Sequence, residues 1–218
     1  MAWPVFRLSV ILLYRRIGIF LIGNVFWLLV SLPIVTMPAA TAALFHLTQR
    51  ILAEERDLDL ILATREHFWE GWQLHWRRAT IVGYINFAVF LLLIITVRFY
   101  WITPAEQIGW LAGPVFMLLL VFMGMQLYLF PALLHYPDDR AWQLFRRAFF
   151  LTLSHPFDTL MLIIWLTLVA ILSTILAGPV FLVLFSFFAI VRSMALRFIR
   201  IQRREIPPAK ADIPEAER

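Results

Sequence analysis

The sequence predicts an all-α protein, folded as a polytopic transmembrane helical bundle with five to six membrane passes and two amphipathic interfacial helices. The chain of 218 residues is 62% hydrophobic and only 15% charged, whereas ordinary soluble proteins are roughly 45–50% apolar. Its charged residues also cluster between long apolar runs. A soluble fold of this size could not bury so much apolar surface, so we predict an integral membrane protein.

Five segments are long and apolar enough to be predicted as spans, given that a helical crossing needs about 20 such residues. They are residues 17–35, 81–97, 109–134, 159–178 and 179–198. We assign residues 1–204 to a single membrane-embedded domain. Residues 205–218 contain three prolines and few apolar side chains, which is typical of disorder, so we predict a disordered polar cytoplasmic tail.

Two aromatic and basic stretches precede predicted spans and are predicted as interfacial helices. Their aromatic residues follow a three-then-four spacing, which places them on one helical face, and arginines lie beside them. Tryptophan prefers the membrane–water interface because its ring is apolar and its N–H needs a polar partner. The predicted anchors are Trp69, Trp72, Trp76, Arg77 and Arg78 in the first stretch, and Trp142, Phe145, Arg146, Arg147 and Phe149 in the second.

The distribution of arginines predicts a protein of the bacterial inner membrane with a cytoplasmic C-terminus, because basic residues favour the cytoplasmic side. Arg7, Arg15 and Arg16 also favour the cytoplasm. Both termini lie inside if residues 38–53 make a short return crossing after a turn containing Pro33 and Pro38, which gives six passes. The alternative is five passes with the N-terminus outside.

Polar residues within the apolar segments are the first candidates for function. Asn24, Asn86 and Gln126 lie in predicted spans, where a side-chain amide needs a hydrogen-bonding partner. Bonds between helices would satisfy them, and lining a polar pathway is the alternative.

A second group of candidates surrounds the proline turn. Thr36, Thr41 and His46 could line a substrate or partner site. They could equally satisfy the backbone groups that Pro33 and Pro38 leave without partners, and we favour this second interpretation.

The residue types present argue against several chemistries. There is no cysteine, so disulfides, zinc–thiolate sites and thiol nucleophiles are excluded. His67, Glu70 and His75 do not share one helical face and do not have zinc-ligand spacing. No nucleotide-binding glycine motif or nucleophile elbow occurs. We therefore expect no catalytic, cofactor-binding or metal-binding residues, no enzyme activity and no nucleic-acid partner.

The stretch NVFWLLVSLPIVTMPAATAALFHLTQRILAEE, residues 24–55, resembles the YesL-like family of bacterial integral membrane proteins. REHFWEGWQLHWRRA (65–79) and AFFLTLSHPFDTLMLIIW (148–165) resemble later segments of that family. The chain departs from the family at Met37, where glycine is common. The resemblance implies a context of ATP-driven carbohydrate uptake, and it supplies no catalytic residues.

These observations predict a non-enzymatic accessory or scaffold component associated with carbohydrate uptake. Its expected partners are the lipid bilayer and subunits of a carbohydrate transporter, and its oligomeric state is left open. The alternative is a small stand-alone transporter of a neutral solute that works through the region of Asn86 and Gln126.

Overall fold

The computed structural model describes residues 2–53, 62–102, 111–175 and 181–205, and these ranges contain eight α-helices and no strand. The helical fold class is thus confirmed. Apart from Glu205, the predicted disordered tail lies outside the described residues. The helices are α1 (Ala2–Arg15), α2 (Ile17–Ser31), α3 (Met37–Ala53), α4 (Leu62–Ile102), α5 (Ala112–His135), α6 (Ala141–Ser154), α7 (Pro156–Ile175) and α8 (Phe181–Gln202), with a 3₁₀ turn at Ile34–Thr36.

Helix α3 forms the centre of the bundle and packs against α2, α4, α5 and α8. Its first half is rich in small residues, and Ala39, Ala40, Ala42 and Ala43 are all buried. Small side chains let neighbouring backbones approach closely, which is how helices associate in lipid. The composition of α3 therefore suits a helix that is surrounded by others.

Two glycines of α4 mark where its backbone comes closest to α3. A Cβ built on Gly71 would lie 2.6 Å from the Cβ of His46, and one on Gly83 would lie 2.4 Å from the Cβ of Pro38. The order of these contacts shows that α3 and α4 are antiparallel.

Helix α4 is one continuous element of 41 residues, about 60 Å long at ~1.5 Å per residue. The sequence pattern predicts an interfacial helix and a separate span in this region. The structure joins them, because no proline interrupts residues 62–102. The first predicted interfacial helix is therefore the N-terminal half of α4, and the second is the separate helix α6.

Within the described ranges, three helices are long and apolar enough to cross a membrane by length and composition, at Thr64–Tyr100, Gly113–His135 and Pro156–Thr174. They correspond to the second, third and fourth predicted spans. The first predicted span, residues 17–35, ends earlier than expected, because α2 stops at Ser31 and is a shorter apolar helix of 15 residues. The number of passes, five or six, stays a prediction.

Helices α2 and α3 form an antiparallel hairpin with an apolar tip. A Cβ on Gly23 would meet the side chains of Leu44 and Leu47, and the indole N–H of Trp27 donates to Thr41. The order of these contacts shows that the two helices are antiparallel. The chain turns at Pro33, whose extended backbone ends α2 and precedes the 3₁₀ turn. Around this turn, Leu32, Ile34 and Val35 are more than 60% exposed, as expected of side chains that meet lipid.

Helix α1 was not predicted, because its 14 residues include Arg7 and form too short an apolar run for a span. It packs against α7 and α8. The ring of Phe6 stacks on Trp165 with centroids 4.6 Å apart and meets the edge of Phe187. Its N-terminus is fixed by the amide of Ala2, which donates to a carboxylate oxygen of Asp158 at 2.9 Å.

Candidate functional site

The two amides predicted to lie within spans, Asn86 and Gln126, bond to each other between α4 and α5. The Asn86 Nδ2 donates to Gln126 Oε1 at 3.0 Å, and the Gln126 Nε2 donates to Asn86 Oδ1 at 2.9 Å. Each amide therefore gives one donor and one acceptor to its partner. The third predicted amide, Asn24, is buried in α2 and does not belong to this pair.

The predicted residues of the proline turn bond mainly to nearby backbone. The Thr36 hydroxyl donates to the carbonyl oxygens of Val30 and Pro33, the latter at 2.7 Å. The Thr41 hydroxyl donates to the Met37 carbonyl at 2.8 Å and accepts from the indole N–H of Trp27 at 3.2 Å. Pro38 lies in the first turn of α3, where a missing N–H is tolerated. These contacts agree with the interpretation that the threonines satisfy the turn.

His46 belongs to a polar cluster between α3 and α4 that the sequence did not reveal. Its Nδ1 lies 3.1 Å from the His67 carbonyl oxygen, and its ring centroid lies 5.7 Å from that of His75. Nearby, Arg50 donates to Glu70 at 2.8 Å. Among the described residues, no group of three His, Asp or Glu side chains has the arrangement needed to hold a metal ion. The cluster therefore joins the two helices.

The aromatic residues at the start of α4 are divided between the surface and the core. Trp69 is half exposed and stacks on Trp72 with centroids 6.1 Å apart, while Trp72 packs against the core. Trp76 is 45% exposed, and the guanidinium carbon of Arg77 lies 5.1 Å from its ring centroid. Trp69 and Trp76 thus remain on the surface, as interfacial anchors require.

Arg78 has a different environment from its neighbour Arg77. Its guanidinium donates to three backbone carbonyls at the end of α5 and in the following turn, those of Leu133 (3.2 Å), Tyr136 (2.6 Å) and Asp139. The last carbonyls of a helix have no partner within the helix, so a cation there is favourable. No local pattern in the sequence signals this contact, because its partners are at least 55 residues away.

Helix α6 buries one face and exposes another. Leu144, Ala148 and Leu151 are buried, and Phe145 packs against them. Trp142 is 76% exposed, and Phe149 and Leu153 are also exposed. Because these three residues follow at intervals of seven and four, they form one outer strip along the helix, which we call the α6 aromatic strip.

The turn before α6 is tied to the helix by Arg147. Its Nε donates to the Asp139 carboxylate at 2.5 Å, and its guanidinium carbon lies 3.9 Å from the Tyr136 ring centroid. The hydrogen bond that Arg147 donates to the Asp139 carboxylate raises the pKa of Arg147 above its ordinary value. Arg146 is likewise exposed on the helix surface.

The fold and its surfaces define a helical membrane protein, with three long apolar helices and exposed aromatic and basic residues at the ends of two of them. Residues 20–97, from α2 to near the end of α4, match the family described as "Protein of unknown function, DUF624". This match supports the predicted resemblance to an uncharacterised family. No curated protein matches the chain, and no solved structure matches it.

Proposed function

We propose that the chain is a non-enzymatic accessory or scaffold subunit of the bacterial inner membrane, working with a carbohydrate-uptake transporter. The resemblance of residues 24–55 to the YesL-like family supports the carbohydrate context. The observation that carries the scaffold role is the placement of two exposed aromatic surfaces at one end of the bundle.

That placement depends on Arg78. Because its guanidinium bonds to Tyr136 and Asp139, the part of α4 before Arg78 lies at the same end of the bundle as α6. The N-terminal half of α4 carries the exposed rings of Trp69 and Trp76. These rings and the α6 aromatic strip therefore lie at the same end of the bundle. Exposed tryptophans are enriched at protein interfaces, because they bury a large rigid area.

Site-specific crosslinking in the native host tests this proposal. A photoreactive amino acid replaces Trp142 in the α6 aromatic strip, and in the matched control it replaces Leu92, which is 64% exposed in the apolar half of α4. We expect the variant at position 142, and not the control, to crosslink to a transporter permease or ATPase that mass spectrometry identifies. Recovery of the uncrosslinked protein alone from both variants would contradict the scaffold proposal.

The alternative function, a small transporter of a neutral solute, depends on Asn86 and Gln126 acting as a polar pathway. Their reciprocal hydrogen bonds support a structural role instead, because each amide already uses one donor and one acceptor within the pair. Replacing both residues by Leu and measuring solute uptake in liposomes distinguishes the two functions. Loss of an uptake that the wild-type protein supports, with normal folding, would favour the transporter.

A further inference from the structure

A basic cavity lies between the turn that follows α5, helix α6 and Arg203, which directly follows α8. Its volume is about 300 Å³, and its walls include Tyr136, Arg146, Arg147, Phe150 and Arg203. Tyr136 directly follows the span Gly113–His135, and α6 leads into the span that begins at Pro156. The cavity is therefore at the level where the hydrocarbon core gives way to headgroups.

The cavity carries an excess of positive charge. Arg147 is neutralised by Asp139, which also lines the cavity. Arg146 and Arg203 are exposed, and within the described part of the chain neither side chain forms an ion pair or hydrogen bond with another residue. Two guanidinium groups are thus available to an anion, and their planar donors match phosphate oxygens.

One wall of the cavity is apolar. Phe150 lines it and is 57% exposed, and Leu151 lies beside it. An inorganic anion would gain little from these side chains, whereas an acyl chain or glycerol backbone next to a phosphate would pack against them. Basic pockets between helices at the membrane surface are a recognised way to bind lipid headgroups.

We propose that this cavity binds the phosphate headgroup of an anionic phospholipid, with Arg146 and Arg203 as its ligands and Phe150 against the lipid's apolar part. Arg147 is a positioning residue, because its contacts with Asp139 and Tyr136 hold the turn that forms one wall. The cavity shares no lining residue with the α6 aromatic strip, so the proposal does not depend on the proposed scaffold function.

Thermal unfolding of the full chain in a neutral detergent tests the site. Phosphatidylglycerol or phosphatidylcholine with identical acyl chains is added at equal mole fraction. We expect phosphatidylglycerol to raise the Tm of the wild-type protein by several degrees more than phosphatidylcholine does. This difference should disappear in the double variant Arg146→Gln/Arg203→Gln and persist in Arg77→Gln, which removes an exposed arginine outside the cavity.

Two further measurements make the outcome decisive. Native mass spectrometry counts the phosphatidylglycerol molecules retained by each variant, so a change in stability alone cannot imitate loss of binding. A third arm replaces the lipid by inorganic phosphate. The proposal is overturned if the double variant keeps both the Tm difference and the bound lipid, or if inorganic phosphate stabilises the wild-type protein as much as phosphatidylglycerol does.

Discussion

Asn86 and Gln126 face each other across α4 and α5 and exchange two hydrogen bonds, at 3.0 and 2.9 Å. Each amide is partly buried between helices that are otherwise apolar at this level. A polar group that loses its partner in such surroundings costs more than the bond itself contributes, because its desolvation is no longer compensated.

This geometry predicts a non-additive pair of mutations. Asn86→Leu alone leaves the Gln126 amide without its partner and should destabilise the protein by about 1–3 kcal/mol. Adding Gln126→Leu should recover part of that loss, because no polar group then remains unpaired. Thermal unfolding of both single variants and the double variant checks this. Losses that simply add would show that the two amides do not act as a pair.

The close approach of α3 and α4 predicts that two glycines cannot be enlarged. In Gly83→Ala the new methyl group would lie 2.4 Å from the Cβ of Pro38, and in Gly71→Ala it would lie 2.6 Å from the Cβ of His46. Neither neighbour can move without its backbone, so the helices must separate, at a cost of about 1–3 kcal/mol.

Gly113 is the matched control for these glycine variants, because a Cβ there would meet nothing within 4 Å. Alanine is the better helix former by up to about 1 kcal/mol, so Gly113→Ala should be neutral or stabilising. Unfolding temperatures of the three alanine variants give the comparison. Equal behaviour at positions 83 and 113 would contradict the tight packing of α4 on Pro38.

Arg78 is predicted to be more important for stability than Arg77. Arg78→Met removes the donor to the Leu133, Tyr136 and Asp139 carbonyls and should cost about 1.5–3 kcal/mol, the usual range for hydrogen bonds to a charged group. Arg77→Met loses only an exposed contact with Trp76 and should change stability by less than about 0.5 kcal/mol. Similar unfolding temperatures for the two variants would contradict the helix-capping role of Arg78.

Much of the fold could be predicted because an apolar run of about 20 residues has few solutions in lipid, where a helix satisfies its own backbone. The spans in α4, α5 and α7 follow from this rule, whereas the break at Pro33 follows from the missing backbone N–H of proline. The sequence did not predict that α4 continues through Arg77 and Arg78. Two adjacent arginines indicate the membrane surface, but a helix need not end there.

The contacts of the candidate sites were harder to predict, because they join residues far apart in the chain. Asn86 and Gln126 were identified as amides that need partners, but nothing local indicated that each is the partner of the other. The cavity beside Arg146 depends on Arg203, which only the packing of α8 brings close. Only the tertiary structure shows such pairs. Side-chain periodicity predicts which residues share a face of one helix, but not which residues of another helix they contact.

The depth of the α2–α3 hairpin leads to a prediction about topology. Arg78 bonds to the end of α5 and so lies level with the end of that span. Gly83 follows Arg78 by five residues along α4, and Pro38 packs on Gly83. Five residues cover only about 7.5 Å of helix, which leaves roughly 20 Å of a ~30 Å hydrocarbon core beyond Pro38. We therefore expect the hairpin to enter the membrane and return on the same side, rather than to complete the crossing that six passes would require.

A cysteine at position 37 tests this expectation, because the chain contains no native cysteine and Met37 is 44% exposed. We expect a membrane-impermeant thiol reagent to leave Met37→Cys unlabelled in intact cells and to label it after solubilisation in detergent. Arg77→Cys, at the predicted cytoplasmic surface, should be labelled once the cells are permeabilised and needs no detergent extraction. Labelling of Met37→Cys in intact cells would instead place the turn outside and support six passes, with α3 as the return crossing. A returning hairpin would keep Arg15 and Arg16 on the same side as Arg50, because α2 and α3 are antiparallel, and the positive-inside rule would then hold with neither helix of the hairpin crossing the membrane.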